Sequence, residues 1–72
     1  MKIKNKIKIK VNGKKLQINP SSSLISVLKK LDIPINKVAI EINKKIIDRK
    51  KFKYMKLNDN DSLEIVYFIG GG

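Results

Sequence analysis

Few residues of this 72-residue chain are equipped for chemistry. It contains no histidine and no cysteine, so the commonest neutral-pH general base, the commonest metal ligand and the thiolate nucleophile are all missing. No Gly-x-x-x-x-Gly-Lys-Ser/Thr loop is present to cradle phosphates. Four consecutive oxygen-bearing side chains, Asn58, Asp59, Asn60 and Asp61, raise the question of calcium, but the glycine and the later glutamate of an EF-hand loop are absent. A plain turn is expected there, and no metal site. What remains is the stretch VYFIGGG, residues 66–72, in which an apolar run gives way to Gly70, Gly71 and Gly72. The expectation is that the last carboxylate, on Gly72, is itself the reactive group. A carboxylate is a poor electrophile until one oxygen becomes a leaving group. Glycines have no Cβ to clash in a narrow channel, and three extended residues reach about 10 Å. Residues 70–72 are therefore expected to form a flexible arm on a domain spanning residues 1–69. Glycine-rich ends are commonly disordered, which is compatible with such a role.

The composition bounds what can carry that arm. A chain of this length makes about one small domain, near the lower limit for a core without disulfides or metal. The formal charge is +11, which by itself points to nucleic acid or another anionic partner. However, sixteen of the seventeen basic residues are lysine and only Arg49 is arginine, whereas bases and phosphates are best gripped by arginine's planar fork. Isoleucine (13) and asparagine (7) are also in excess, and with lysine they share A/T-rich codons. A solvated lysine surface set by coding bias is expected, with steering of an acidic protein partner as the second reading and nucleic acid as the third. No uninterrupted apolar run approaches the roughly 20 residues needed to cross a bilayer, and the lysine-studded start lacks the apolar core of a secretion signal. A cytoplasmic location without membrane contact is expected.

The elements that must position the terminus follow from periodicity. Lys2, Lys4, Lys6, Lys8 and Lys10 alternate with Ile3, Ile7, Ile9 and Val11, the period of a strand with one buried face. Asn5 interrupts the apolar side, so secure pairing is expected from about Lys6. Asn12-Gly13 predicts a tight hairpin turn, with Leu16 to Asn19 returning. After Pro20 and three serines, Leu24, Val27, Leu28 and Leu31 recur at helical spacing, with Ser23 as N-cap and Lys29 and Lys30 suiting the C-terminal dipole. Asp32-Ile33-Pro34 ends the helix. At about two turns it cannot stand alone, so its leucine face must lie on a sheet. Val38 to Ile42 predicts a third strand, turning at Asn43 and Lys44 into a short Ile46-Ile47 segment. The lysine-rich stretch 48–56 is expected to be irregular and anchored by Phe52, Met55 and Leu57. Leu63 to Ile69 predicts the last strand. The order is α+β, a mixed sheet of four to five strands with one helix across one face.

This layout, closing on Gly-Gly, resembles the ubiquitin-like β-grasp fold. The stretches VAIEINKKIIDRKKF (38–52) and LNDNDSLEIVYFIGGG (57–72) look closely like the sulfur carriers of thiamine thiazole biosynthesis, the ThiS type. IKVNGK (9–14) and SSLISVLKKLDI (22–33) resemble them more loosely, so the likeness runs from about Lys8 to Gly72. Three features depart from that pattern: a longer segment before Val11, Lys44 in place of a common glycine, and Asp48 where proline is frequent. The resemblance implies a carrier, not an enzyme, and no bound cofactor. A ubiquitin-activating-like adenylyltransferase (ThiF-type) would use ATP and magnesium to adenylate the Gly72 carboxylate. Sulfur originating from cysteine, through a donor such as a cysteine desulfurase, would then displace AMP. The resulting thiocarboxylate would deliver sulfur to thiazole synthase (ThiG-type).

Alternation along the last strand predicts Leu63, Ile65 and Tyr67 toward the helix and Glu64, Val66 and Phe68 on the other face. Val66, Phe68 and Ile69 form a candidate docking patch beside the arm. The alternatives are the small subunit of molybdopterin synthase, with the same chemistry on a different acceptor, and a basic nucleic-acid-binding module whose tail is incidental. The "DR" and "EIV" surroundings favour thiamine.

Overall fold

The computed structural model describes residues 5–68. Strand β1 (Ile7–Val11) and strand β2 (Lys14–Ile18) form an antiparallel hairpin in which Ile9 faces Leu16 and Lys10 faces Lys15. Its turn residues have φ of 51° at Asn12 and 85° at Gly13, the positive values required of both central residues in a type I′ turn. β2 begins two residues earlier than its apolar pattern predicts, because the two-residue turn brings Lys14 directly opposite Val11.

Helix α1 (Leu24–Lys30) starts where the capping serine places it. The Ser26 amide donates to Ser23 Oγ at 3.2 Å. Two more of the amides that a helix start leaves free donate to the irregular segment, Leu24 N to Met55 O at 2.8 Å and Ile25 N to Phe52 O at 3.1 Å. This docking orders the lysine-rich stretch, which contains a single 3-10 turn at Arg49–Lys51 capped by Asp48. Phe52 and Leu57 are buried and Met55 is partly buried, as expected of anchors. α1 ends one residue before Leu31, and Asp32 takes a positive φ of 60° as the chain turns away.

After a 3-10 turn at Ile35–Lys37, strand β3 (Val38–Ile42) crosses the sheet, turns through Asn43 and Lys44 at positive φ, and returns as the two-residue strand β4 (Lys45–Ile46). Strand β5 (Ser62–Tyr67) closes the sheet in the order β2-β1-β5-β3-β4. β5 is parallel to β1 and antiparallel to β3, so the sheet is mixed, as predicted.

One face carries the core. Ile9, Ile18, Val38, Ile40, Ile42, Leu63 and Ile65 meet Leu24, Val27 and Leu28 of α1, with Phe52 and Leu57 completing the cluster. Directly opposite pairs share a face, so the Ile40–Ile65 and Ile42–Leu63 registers place four core residues together. Burying a side chain of this kind contributes roughly 1.5–3 kcal/mol, and this apolar layer is what holds β5 in the middle of the sheet.

Candidate functional site

The described residues end one position past β5, shortly before the arm expected from the sequence begins. β5 is held on both sides, and its attachment continues past the strand: the Phe68 amide donates to Lys37 O at 2.9 Å. The last described residue is thereby fixed to the segment just before β3. Ile69, Gly70, Gly71 and Gly72, to which sequence reasoning gives the arm, its reactive end and part of the docking patch, lie outside the described residues, as do residues 1–4.

A polar network fixes the other end of β5. Asp61, only 9% exposed, accepts hydrogen bonds from Asn43 Nδ2 at 2.9 Å and from the Asn58 amide at 2.8 Å. Asn43 Oδ1 in turn accepts from the Ser62 amide at 3.0 Å. Asp59 Oδ1 accepts from the Lys8 amide at 2.8 Å, joining the 58–61 turn to β1. The turn that sequence reasoning expects is there, and its side chains also lock the start of β5 to β1 and to the β3–β4 turn.

The two faces of β5 are as predicted for four of the residues: Leu63 and Ile65 are buried under the helix, while Val66 is 61% and Phe68 47% exposed. Tyr67 also takes the predicted side, but the helix does not reach it. It lies opposite Val38 on the helix side but remains 53% exposed. A seven-residue helix is about 10 Å long and a six-residue strand about 20 Å, so α1 cannot cover the whole of β5. Val66 lies opposite Ala39 on the outer face, Glu64 lies opposite Glu41, and Glu41 lies opposite Ile46, which is 76% exposed. The sequence places Glu64 on the outer face but does not bring it beside Glu41 and Ile46, because that adjacency depends on cross-strand register. The alternation VAIEI, combined with a β5 partner, is the signal that could have found them.

A five-stranded mixed sheet in this order with one helix across one face defines a ubiquitin-like β-grasp protein. Comparison with known proteins narrows the class. The ThiS family model matches residues 4–72, and the chain belongs to that family. The sulfur carrier protein ThiS of Bacillus subtilis is 32% identical over 65 residues, covering 89% of this chain and 98% of its own. A thiazole synthase of Paramagnetospirillum magneticum is 36% identical over 66 residues, covering 92% of this chain, which spans only 20% of that enzyme's length. The crystal structure of the thiamine biosynthesis protein ThiS from Geobacter metallireducens superposes with a TM-score of 0.80 at 29% identity, covering 92% of this chain and all of the other. The expected fold and family are both met.

Proposed function

We propose that this ThiS-family chain is the sulfur carrier for thiazole formation in thiamine biosynthesis, with the Gly72 carboxylate as the group that bears the sulfur. The supporting observation is that the family match runs past β5 and takes in Gly70, Gly71 and Gly72. A carboxylate oxygen of Gly72 attacks the α-phosphorus of ATP on a ThiF-type adenylyltransferase, and magnesium pyrophosphate leaves. Sulfide, freed from a cysteine-derived persulfide by a thiol reductant that ends as the disulfide, then attacks the acyl carbon and expels AMP to give the thiocarboxylate. The acceptor is a ThiG-type thiazole synthase. In the Paramagnetospirillum magneticum relative a segment similar to nearly all of this chain lies within a thiazole synthase, a covalent pairing of carrier and acceptor. The chain contributes the carboxylate, its presentation from a rigid strand and a docking face around Val66, Phe68 and Ile69. The bond-making groups belong to the partners, so the chain is a carrier and not an enzyme.

The test is incubation with the adenylating enzyme, ATP, magnesium and a sulfur source. The product should be heavier by the difference between one sulfur and one oxygen, with the change confined to the C-terminal peptide. A molybdopterin synthase subunit would give the same product here. It is distinguished by supplying the thiocarboxylate to each acceptor in turn, and thiazole formation is the expected outcome.

A further inference from the structure

The outer face of the sheet separates charge by sign. On its β1–β2 half stand Lys8, Lys10 and Lys15, around a cleft of about 350 Å³ that Asn60 and Ser62 also line. On its β5–β3 half stand Glu64 and Glu41, directly opposite each other. Lys10 and Lys15 are likewise directly opposite. Like charges facing each other across a sheet destabilise it, and exchanging one lysine with one glutamate would turn both repulsive pairs into attractive ones. Coding bias accounts for a lysine pair in a chain with sixteen lysines, but not for the glutamate pair. Only six acidic residues are present, and three of them, Asp48, Asp59 and Asp61, accept hydrogen bonds from backbone amides. The glutamates also sit among the exposed apolar side chains of that half, Val66 and Ile46.

We infer that this face is a bipolar docking surface whose occupant is the enzyme that activates the terminus. That enzyme would present an arginine, ringed by apolar side chains, to Glu41 and Glu64, and acidic side chains to Lys8, Lys10 and Lys15. This rests on the function proposed above. A guanidinium fork is suited to bridging two carboxylates, and the opposed fields fix the orientation of docking as well as its site. β5 carries Glu64 and Val66 and closely precedes the proposed arm in the chain, so docking here delivers the terminus to the same enzyme. A second copy of the chain is disfavoured by mutual repulsion at a charge of +11 each, and a nucleic acid by the glutamates.

The test is a charge-conserving exchange, Lys10→Glu with Glu64→Lys, which leaves net charge and long-range steering unaltered. Binding to the adenylating enzyme, measured by calorimetry, should weaken at least about tenfold while the thermal midpoint stays level or rises. Glu41→Gln with Glu64→Gln should weaken binding without lowering the midpoint, and serves if the exchange variant does not fold. Affinity within about twofold of native for the folded variants overturns the proposal. So does native self-association that the exchange abolishes. A native chain that binds but acquires no sulfur sinks the assignment of Gly72 and leaves this face standing.

Discussion

Asn12 holds both backbone hydrogen-bonding groups of Ile65 with a single side chain. Its Oδ1 accepts from the Ile65 amide at 2.7 Å and its Nδ2 donates to the Ile65 carbonyl at 3.2 Å. The β1–β5 ladder runs only through Lys10–Ser62 and Val11–Leu63, and the Asn12 amide continues it by acting as one more strand residue. The hairpin turn thereby grips the strand that carries the terminus, three residues before Phe68.

Asn12→Gly keeps the positive φ and removes both bonds, so its effect reports the clamp and not turn strain. The expected loss is about 1–2 kcal/mol, which for a domain of this size lowers the thermal midpoint by several degrees. An unchanged midpoint would show that water replaces the clamp at no cost.

Lys44 holds a φ of 72°, a conformation that costs an L-residue roughly 1–2 kcal/mol and glycine almost nothing. Glycine's extra freedom in the unfolded chain takes back part of that difference, so Lys44→Gly should stabilise by about 0.5–1 kcal/mol in denaturant titration. Its neighbour behaves oppositely. Asn43→Gly suits the φ of 53° but frees the bonds to Asp61 and to the Ser62 amide, and should destabilise.

Those two asparagines show what the sequence could and could not tell. Alternation, the Asn-Gly turn and the Ser23 cap were enough to place the strands and the helix among the described residues, because each is a local signal. The second tasks of Asn12 and Asn43 were hidden, since their partners lie 53 and 18 residues away and only the folded register brings them together. The exposure of Tyr67 was hidden for a related reason. Periodicity tells which side of the sheet a residue faces, but not how far a short helix extends over that side. The tail was legible as chemistry only through its likeness to a family.

Val66 and Phe68 are exposed, so Val66→Asp and Phe68→Asp should each shift stability by less than about 0.5 kcal/mol. Both should weaken association with the adenylating enzyme, because a carboxylate in a desolvated apolar contact has no partner. Thermal melts and calorimetry on the same preparations separate the two effects. Unfolding on Phe68→Asp would place that ring in the core.

The lysine surface should bind DNA or RNA weakly and without regard to sequence. Each phosphate contact releases counterions, so any binding should fall steeply as salt rises. Submicromolar affinity at physiological salt, measured by fluorescence anisotropy, would promote a basic binding module over the carrier.

The assignment of Gly72 stands or falls on chain length and on steric access. Deleting Gly72 withdraws the carboxylate by about 3.5 Å, and adding one residue after it carries the carboxylate past its reaction position by as much. Catalysis by positioning tolerates neither displacement, so both variants should lose sulfur incorporation by mass spectrometry while melting like the native chain. Gly71→Val isolates the steric part. It keeps the length but adds a β-branched side chain, which obstructs a narrow channel and restricts the backbone. Its product should fall sharply with the fold intact. If the shortened and lengthened chains accept sulfur as readily as the native one, the terminus is not the reactive group and the carrier mechanism drawn through it is wrong.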